Sequence, residues 1–276
     1  MSVRRILTVQ DISCVGQCSM TVALPVLSAC GHETCVLPTL LLSTHTGGFG
    51  TPEIVRFSDR LEPIIAHWKE KHITFDAVLT GYLGSIQAID AAAEILNTLL
   101  VPGGVAIVDP AMADNGKLYS GFDGAYVEKM KCLCRKADMV LPNLTEAALL
   151  AGLPWEDRAD EAYAEKLLSG LNFPRVLVTG VGEQTSGFLL KDGEKMQRYT
   201  HPRFPGSFSG TGDLFAAAFT GLLLTGKTVY DSACCAANFT CKAIARTAAH
   251  RTHWYGLQFE PVLPELMAMC RREAET

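Results

Sequence analysis

The chain has 276 residues, 48% of them hydrophobic, which is enough to bury a large core and too much for a short binding module. The formal net charge is -5 and the 24 Lys and Arg residues form no basic block, which argues against nucleic acid or an anionic membrane as the main partner and favours a small molecule. Ten cysteines without C-x-x-C spacing read as small, reduced, mostly buried side chains rather than a disulfide framework.

The start, Met1-Ser2-Val3-Arg4-Arg5-Ile6, soon meets Gln10 and Asp11, so it lacks the apolar stretch of a signal peptide. Later apolar runs such as Leu214 to Leu224 are interrupted by Thr220 and Gly221 and are too short to span a bilayer. A cytoplasmic protein with no membrane partner is expected. Short runs rich in Val, Ile and Leu predict strands at Ile6 to Val9, Thr34 to Leu37, Ala77 to Thr80, Val105 to Val108, Met139 to Leu141 and Val176 to Thr179. Between them, helical periodicity predicts Ser19 to Ala29, Glu53 to Lys71, Ile86 to Leu100, Asp123 to Lys136 and Thr145 to Leu150. That alternation implies a mostly parallel sheet covered by helices, with its ligand beyond the carboxyl ends of the strands. Ser186 to Lys191 and Lys195 to Thr200, separated by Asp192-Gly193-Glu194, read as an antiparallel hairpin at one edge. A glycine turn and three helices follow, of which Val229 to Arg246 and Pro261 to Arg272 look like cover for the sheet. The expectation is a single domain over residues 1–276, with the polar, Gly-rich loop at residues 39–51 as a lid. His250 and His253 form an H-x-x-H without accompanying ligands, which points to packing rather than metal.

Chemistry is concentrated at Phe208-Ser209-Gly210-Thr211-Gly212-Asp213-Leu214-Phe215, where a tight glycine turn opens an apolar helix. Two glycines allow several amides to point into one hollow, and a helix N-terminus adds partial positive charge, a combination suited to a transferring phosphate. Asp213 is either the helix N-cap or a general base beside that anion site. Asp109-Pro110-Ala111-Met112-Ala113-Asp114-Asn115-Gly116 follows a strand and is either turn chemistry or a source of carboxylates at the site. Pro142-Asn143-Leu144-Thr145-Glu146 also follows a strand; Asn143 and Glu146 make either a capping box or, with Asp109, a set of hard oxygen donors suited to Mg²⁺ and nucleotide phosphates.

Together with Ser43-Thr44-His45-Thr46-Gly47 and Thr80-Gly81-Tyr82-Leu83-Gly84-Ser85, these motifs resemble the pyridoxal kinases of the ribokinase superfamily almost end to end. The Gly-Thr-Gly-Asp turn is common to the superfamily, whereas the two other loops are similar to the pyridoxal kinase branch. The resemblance implies a ribokinase-like three-layer α/β fold and ATP-dependent phosphorylation of a B6 vitamer at its 5′ hydroxymethyl group, in a homodimer. It implies Asp213 as the base and the Gly210, Thr211 and Gly212 amides as the anion hole. Thr46 would meet the phenolic oxygen of the ring, with His45 and Tyr82 enclosing it. Asp109 and Glu146 would organise Mg²⁺ with Asn143, Asp114 would lie near the γ-phosphate or metal, and Thr179 would contact nucleotide phosphate beside a monovalent cation such as K⁺. The nearest alternatives are a hydroxymethylpyrimidine or sugar kinase of the same superfamily, or a non-catalytic vitamer sensor.

One segment departs from the family. Gln10-Asp11-Ile12-Ser13 stands where Gln-Ser-His is usual, so Asp11 takes the place of a serine that contacts the pyridine nitrogen. A carboxylate there would favour a protonated ring and suit pyridoxamine or pyridoxine at least as well as pyridoxal; in the other reading Asp11 turns away and Ser13 compensates. Gly47-Gly48-Phe49-Gly50 also makes the expected lid more flexible than the family pattern suggests.

Overall fold

A computed structural model describes residues 3–250 and 253–271. The elements of its first half are β1 (Arg5–Ser13), α1 (Met20–Ala29), β2 (Glu33–Leu42), β3 (Ile54–Arg56), α2 (Leu61–Glu70), β4 (Phe75–Thr80), α3 (Ile86–Thr98) and β5 (Leu100–Val108). Next come the ribbon β6 (Ala113–Asp114) and β7 (Lys117–Leu118), then α4 (Gly124–Cys134), β8 (Met139–Val140), α5 (Leu144–Ala151) and α6 (Glu161–Gly170). The chain continues through β9 (Arg175–Thr179), β10 (Thr185–Asp192), β11 (Lys195–Pro202), α7 (Thr211–Leu224), α8 (Val229–Ala248) and α9 (Leu263–Cys270).

Nine strands form one sheet in the order β11-β10-β9-β8-β5-β4-β1-β2-β3. The strands from β9 through β2 in that order run parallel, whereas β10, β11 and β3 join antiparallel at the two edges. Burial on both faces explains the unbroken apolar runs of the central strands. In β1, Leu7 and Val9 pack with α2 to α6, while Ile6 packs on the opposite face with α1, α7, α8 and α9. β4 divides the same way, with Val78 on the first side and Ala77 and Leu79 on the second. The result is the expected three-layer, ribokinase-like arrangement with an antiparallel edge hairpin.

Parallel strands bring their carboxyl ends to one edge, and backbone bonds lock the loops there in step. The Asp11 amide donates to the Tyr82 carbonyl at 3.1 Å, Asp109 to Thr80 at 3.1 Å, and Thr179 to Pro142 at 2.9 Å. The ends of β1, β4, β5, β8 and β9 therefore form one continuous rim.

Several expectations need correction. The helix expected from Glu53 to Lys71 begins only at Leu61; before it, Ile54, Val55 and Arg56 pair with Leu42, Leu41 and Leu40 as edge strand β3. Two adjacent β-branched residues suit that edge, and the buried helical pair Leu61 and Ile65 starts the true helix. Strand β2 runs on to Leu42, so the loop expected at 39–51 is displaced to residues 43–53. α6, capped by the Asp160 side chain at the Tyr163 amide, and the β6–β7 ribbon were not expected. The last segment is a 3₁₀ turn, Glu260–Val262, followed by α9; Arg272 lies outside the described residues, as do Met1 and Ser2.

Candidate active site

A cleft of about 740 Å³ lies along that rim, lined by every residue singled out from the sequence: Asp11, His45, Thr46, Tyr82, Asp109, Asp114, Asn143, Glu146, Thr179 and the turn from Gly210 to Asp213. The turn closes one side. Gly210 is the N-cap of α7 with φ 80°, and no side chain caps that helix end. A Cβ at Gly210 would run into the Gln17 carbonyl, so glycine is required both for the left-handed conformation and for the close approach. Asp213 is the third residue of α7, so its reading as the helix N-cap is corrected. First-turn amides have no acceptor within their own helix, and those of α7 border the cleft. The dipole there favours an anion.

The Asp213 carboxyl is half-buried, and burial raises it above the ordinary aspartate range, opposed by the Ser19 backbone amide and by His45. Asp109 faces the turn: a Cβ built on Gly212 would stand 4.0 Å from its Oδ2. Burial holds Asp109 well above the usual carboxylate range, and Glu146 and Asp213 push the same way. Asp109, Glu146 and Asp213 thus share the part of the cleft beside the glycine turn.

Asn143 and Glu146 form the capping box of α5, one of the two functions their spacing allowed. Glu146 also reaches the loop after β5: its Oε1 accepts the Met112 amide at 3.0 Å and the Ala113 amide at 3.4 Å, while Oε2 accepts the Asn143 amide at 2.9 Å. Asn143 Nδ2 donates to the Ala113 carbonyl at 2.8 Å. Burial raises Glu146 to about 8 against the pull of those amides. Among the described residues no group of three His, Cys, Asp or Glu side chains is arranged as a metal cage. Asp114 is exposed on β6 and its carboxylate accepts the Asn115 amide at 2.9 Å. Thr179 ends β9 and bridges Asn143.

Aromatic rings also border the cleft. Tyr82 stacks on Phe122 at 5.4 Å, and Phe122 on Tyr126 at 3.7 Å; Tyr119 stands 6.2 Å from Tyr82. His45 projects from loop 43–53, and its Nδ1 accepts the Gly47 amide at 3.1 Å. Burial lowers the His45 pKa, so the neutral ring with its proton on Nε2 is favoured. Thr46 beside it is exposed to the cleft. Asp11 is 4% exposed, its Oδ1 has no hydrogen-bond partner among the described residues, and burial lifts its carboxyl to about 7.

Some lining residues escaped the sequence. Ser19, with φ 49°, presents its backbone to Asp213 and its hydroxyl to Asp11, and only its place before a helix could have marked it. Helix α8 is more than cover: Ala237, Thr240, Cys241 and Ile244 line the cleft, and the buried Thr240 hydroxyl has no partner among the described residues. Small residues on a helix face carried no signal of a site. The His250 Nδ1 lies 2.9 Å from the Arg246 carbonyl, and His253 packs on Tyr255 at 4.3 Å. Among the described residues no helix is long and apolar enough to cross a membrane.

The sequence profile described as phosphomethylpyrimidine kinase matches residues 65–257. Pyridoxal kinase PdxY of Pasteurella multocida is 30% identical over 220 residues, covering 72% of this chain and 73% of that one. The crystal structure of pyridoxal kinase from Lactobacillus plantarum superposes with a TM-score of 0.90 at 35% identity, covering 97% of this chain and 98% of the other. A Bacteroides thetaiotaomicron protein provisionally assigned as a phosphomethylpyrimidine kinase, in a crystal form with pyridoxal, gives a TM-score of 0.88 at 32% identity and covers 96% of each chain.

Proposed function

This chain belongs to the family of phosphomethylpyrimidine and pyridoxal kinases, and from that membership we propose that it phosphorylates the 5′ hydroxymethyl group of a B6 vitamer with ATP. Pyridoxamine, pyridoxine and pyridoxal are the candidate acceptors. The observation that carries this reading is one cleft lined both by a glycine-capped helix N-terminus with Asp213 and by Tyr82, which stacks on Phe122.

Phosphoryl transfer leaves the protein mainly positioning and electrostatics to supply. Asp213 takes the proton of the vitamer hydroxyl as its oxygen bonds to the γ-phosphorus and ADP leaves. Amides of Gly210, Thr211 and Gly212 hold the charge on the transferring group. His45, Thr46 and Tyr82 enclose the ring, Thr46 meeting its phenolic oxygen and Asp11 its nitrogen, while Asp114, Asn143 and Thr179 attend the nucleotide phosphates. Loop 43–53 is the lid that shuts out water.

Asp109 and Glu146 fit a divalent cation: both are hard oxygen donors, and each is pushed up in the buried, acidic end of the cleft. Asp109 would hold Mg²⁺ directly and Glu146, whose oxygens already accept backbone amides, through water. Bound Mg²⁺ neutralises charge on the ATP phosphates. The same reading puts K⁺ beside Thr179 and has the chain work as a single-domain subunit of a cytoplasmic homodimer.

A hydroxymethylpyrimidine kinase is the second reading, favoured by the name of the matching profile. Incubation with Mg-ATP and each vitamer, or hydroxymethylpyrimidine, followed by mass detection of product, separates the two. A phosphorylated B6 vitamer is expected; product from the pyrimidine alone would replace the assignment, and binding without ATP consumption would make the chain a sensor.

A further inference from the structure

Loop 43–53 is not free on its outer side. Gly48, with φ 84°, lies flat beneath the Trp254 ring, since a Cβ there would come within 2.5 Å of Cζ3. Phe49 completes the contact, its ring 4.5 Å from Trp254 and 5.9 Å from Tyr255. Trp254 is nevertheless 54% exposed, so neither the ring nor its burial holds up the core. A large exposed aromatic on two glycine-flanked residues is a contact with the loop and little else.

Underneath, three backbone plies meet. The His45 amide donates to the Val15 carbonyl at 2.8 Å, and the Gln17 amide donates to the Tyr255 carbonyl at 3.1 Å. Gln17 also forms a parallel bridge with Gly256, whose φ of 143° and lack of a side chain admit the Gln17 backbone. Gly16 is pressed against the His45 Cβ, at 2.7 Å from a built Cβ. On its other side Gln17 abuts Gly210 of the phosphate turn. One strip, residues 15–17, is therefore held between the loop that carries His45 and Thr46, the turn that carries Asp213, and the segment from His253 to Gly256.

We propose that His253–Gly256 is a latch that fixes loop 43–53 over the cleft, and that Trp254 is a positioning residue for vitamer binding, acting through Gly48 and Phe49 on His45 and Thr46. The inference rests on the assignment of His45 and Thr46 to the vitamer ring. A loop clamped on its outer face loses less freedom when the ring binds, and an unclamped one leaves the cleft open to water.

The test compares Trp254→Ala, Trp254→Phe and Phe49→Ala with the parent protein. Trp254→Ala is expected to raise the vitamer KM about tenfold and to increase ATP hydrolysis without vitamer, while the ATP KM stays within about twofold. Trp254→Phe restores most of the vitamer KM by refilling the stack. Phe49→Ala reproduces the split and adds little to Trp254→Ala, because both break one contact. Chymotryptic cleavage after Phe49 reads the latch without any substrate, and Trp254→Ala is expected to speed it about tenfold at unchanged melting temperature. Parent-like vitamer KM together with parent-like cleavage in Trp254→Ala overturns the latch. If no vitamer is phosphorylated by the parent protein, the functional assignment fails and the cleavage rates alone decide the latch.

Discussion

Glu146 and Asn143 hold each other across the first turn of α5: the Glu146 amide donates to Asn143 Oδ1 at 2.9 Å, and the Asn143 amide donates to Glu146 Oε2 at 2.9 Å. The remaining Glu146 oxygen ties the loop after β5, which carries Asp109, to the same helix. Glu146→Ala leaves three backbone amides without an acceptor, and each unsatisfied buried donor costs about 1–3 kcal/mol. The expected outcome is a loss of about 3 kcal/mol or more in urea melts, with turnover falling as Asp109 loses its support. A melt unchanged by the substitution would show that the loop stands without Glu146.

Gly210 and Gly212 are two residues apart and fail differently. Gly210 has φ 80° and the Gln17 carbonyl where a Cβ would go, whereas a Cβ on Gly212 makes only an ordinary contact with Asp109 Oδ2 at 4.0 Å. Gly210→Ala is therefore expected to cost both stability, by more than about 1 kcal/mol, and activity. Gly212→Ala keeps the fold but puts a methyl group in the anion hollow, lowering kcat at an unchanged melting temperature. Paired melting curves and initial rates check the contrast; equal melting losses in both variants would refute it.

Asp213→Asn keeps the shape of the third residue of α7 and removes its basicity. As a general base Asp213 is expected to contribute about 10² to 10⁴ in kcat, with much smaller effects on the ATP KM. The raised carboxyl of the free protein gives a sign for pH as well. The rate should climb with pH through an ionisation above the usual aspartate range, and that limb should vanish in Asp213→Asn. Near-native turnover of the Asn variant would reduce Asp213 to a structural residue.

The residues around the glycine turn were legible because they sit at strand ends and in that turn, positions where local chemistry and the geometry of a parallel sheet agree. Asp109, Asn143, Thr179 and Gly210 follow strands or open a helix, and the fold had little freedom in where to put them. The Glu53 to Lys71 segment was misread because helical and strand tendencies compete in Ile54-Val55-Arg56, and pairing with Leu40 to Leu42 decides the contest. Such pairing is tertiary. Thr240 and Ile244 were hidden for the same reason: one face of α8 covers the sheet while another faces the cleft, and a periodic apolar pattern does not distinguish them. Trp254 reaches loop 43–53 across about two hundred residues of sequence, a contact no local pattern announces.

Asp11 is buried in the cleft, and its position bears on both stability and substrate. Its buried Oδ1 lacks a partner among the described residues; burial, aided by Asp213, raises the carboxyl to about 7, while Ser19 and Ser13 pull it back. The unfolded chain loses that proton near pH 4, whereas the folded site keeps it until about 7. Between those values the folded state binds the extra proton, so this group's contribution to stability falls as pH rises from about 4 to 7 and levels off above. Asp11→Asn imitates the protonated carboxyl and is expected to lose that part of the slope, so that its melting temperature gains on the native protein between pH 5 and pH 8. An equal pH dependence in both proteins would mean that Asp11 is already ionised at pH 5. For the substrate, a carboxylate facing the ring nitrogen accepts from a pyridinium N–H, which a serine does only weakly. Asp11→Ser is therefore expected to lower kcat/KM for pyridoxamine and pyridoxine more than for pyridoxal. Measured on all three vitamers, an unchanged ranking would turn Asp11 away from the ring and leave its role to the fold.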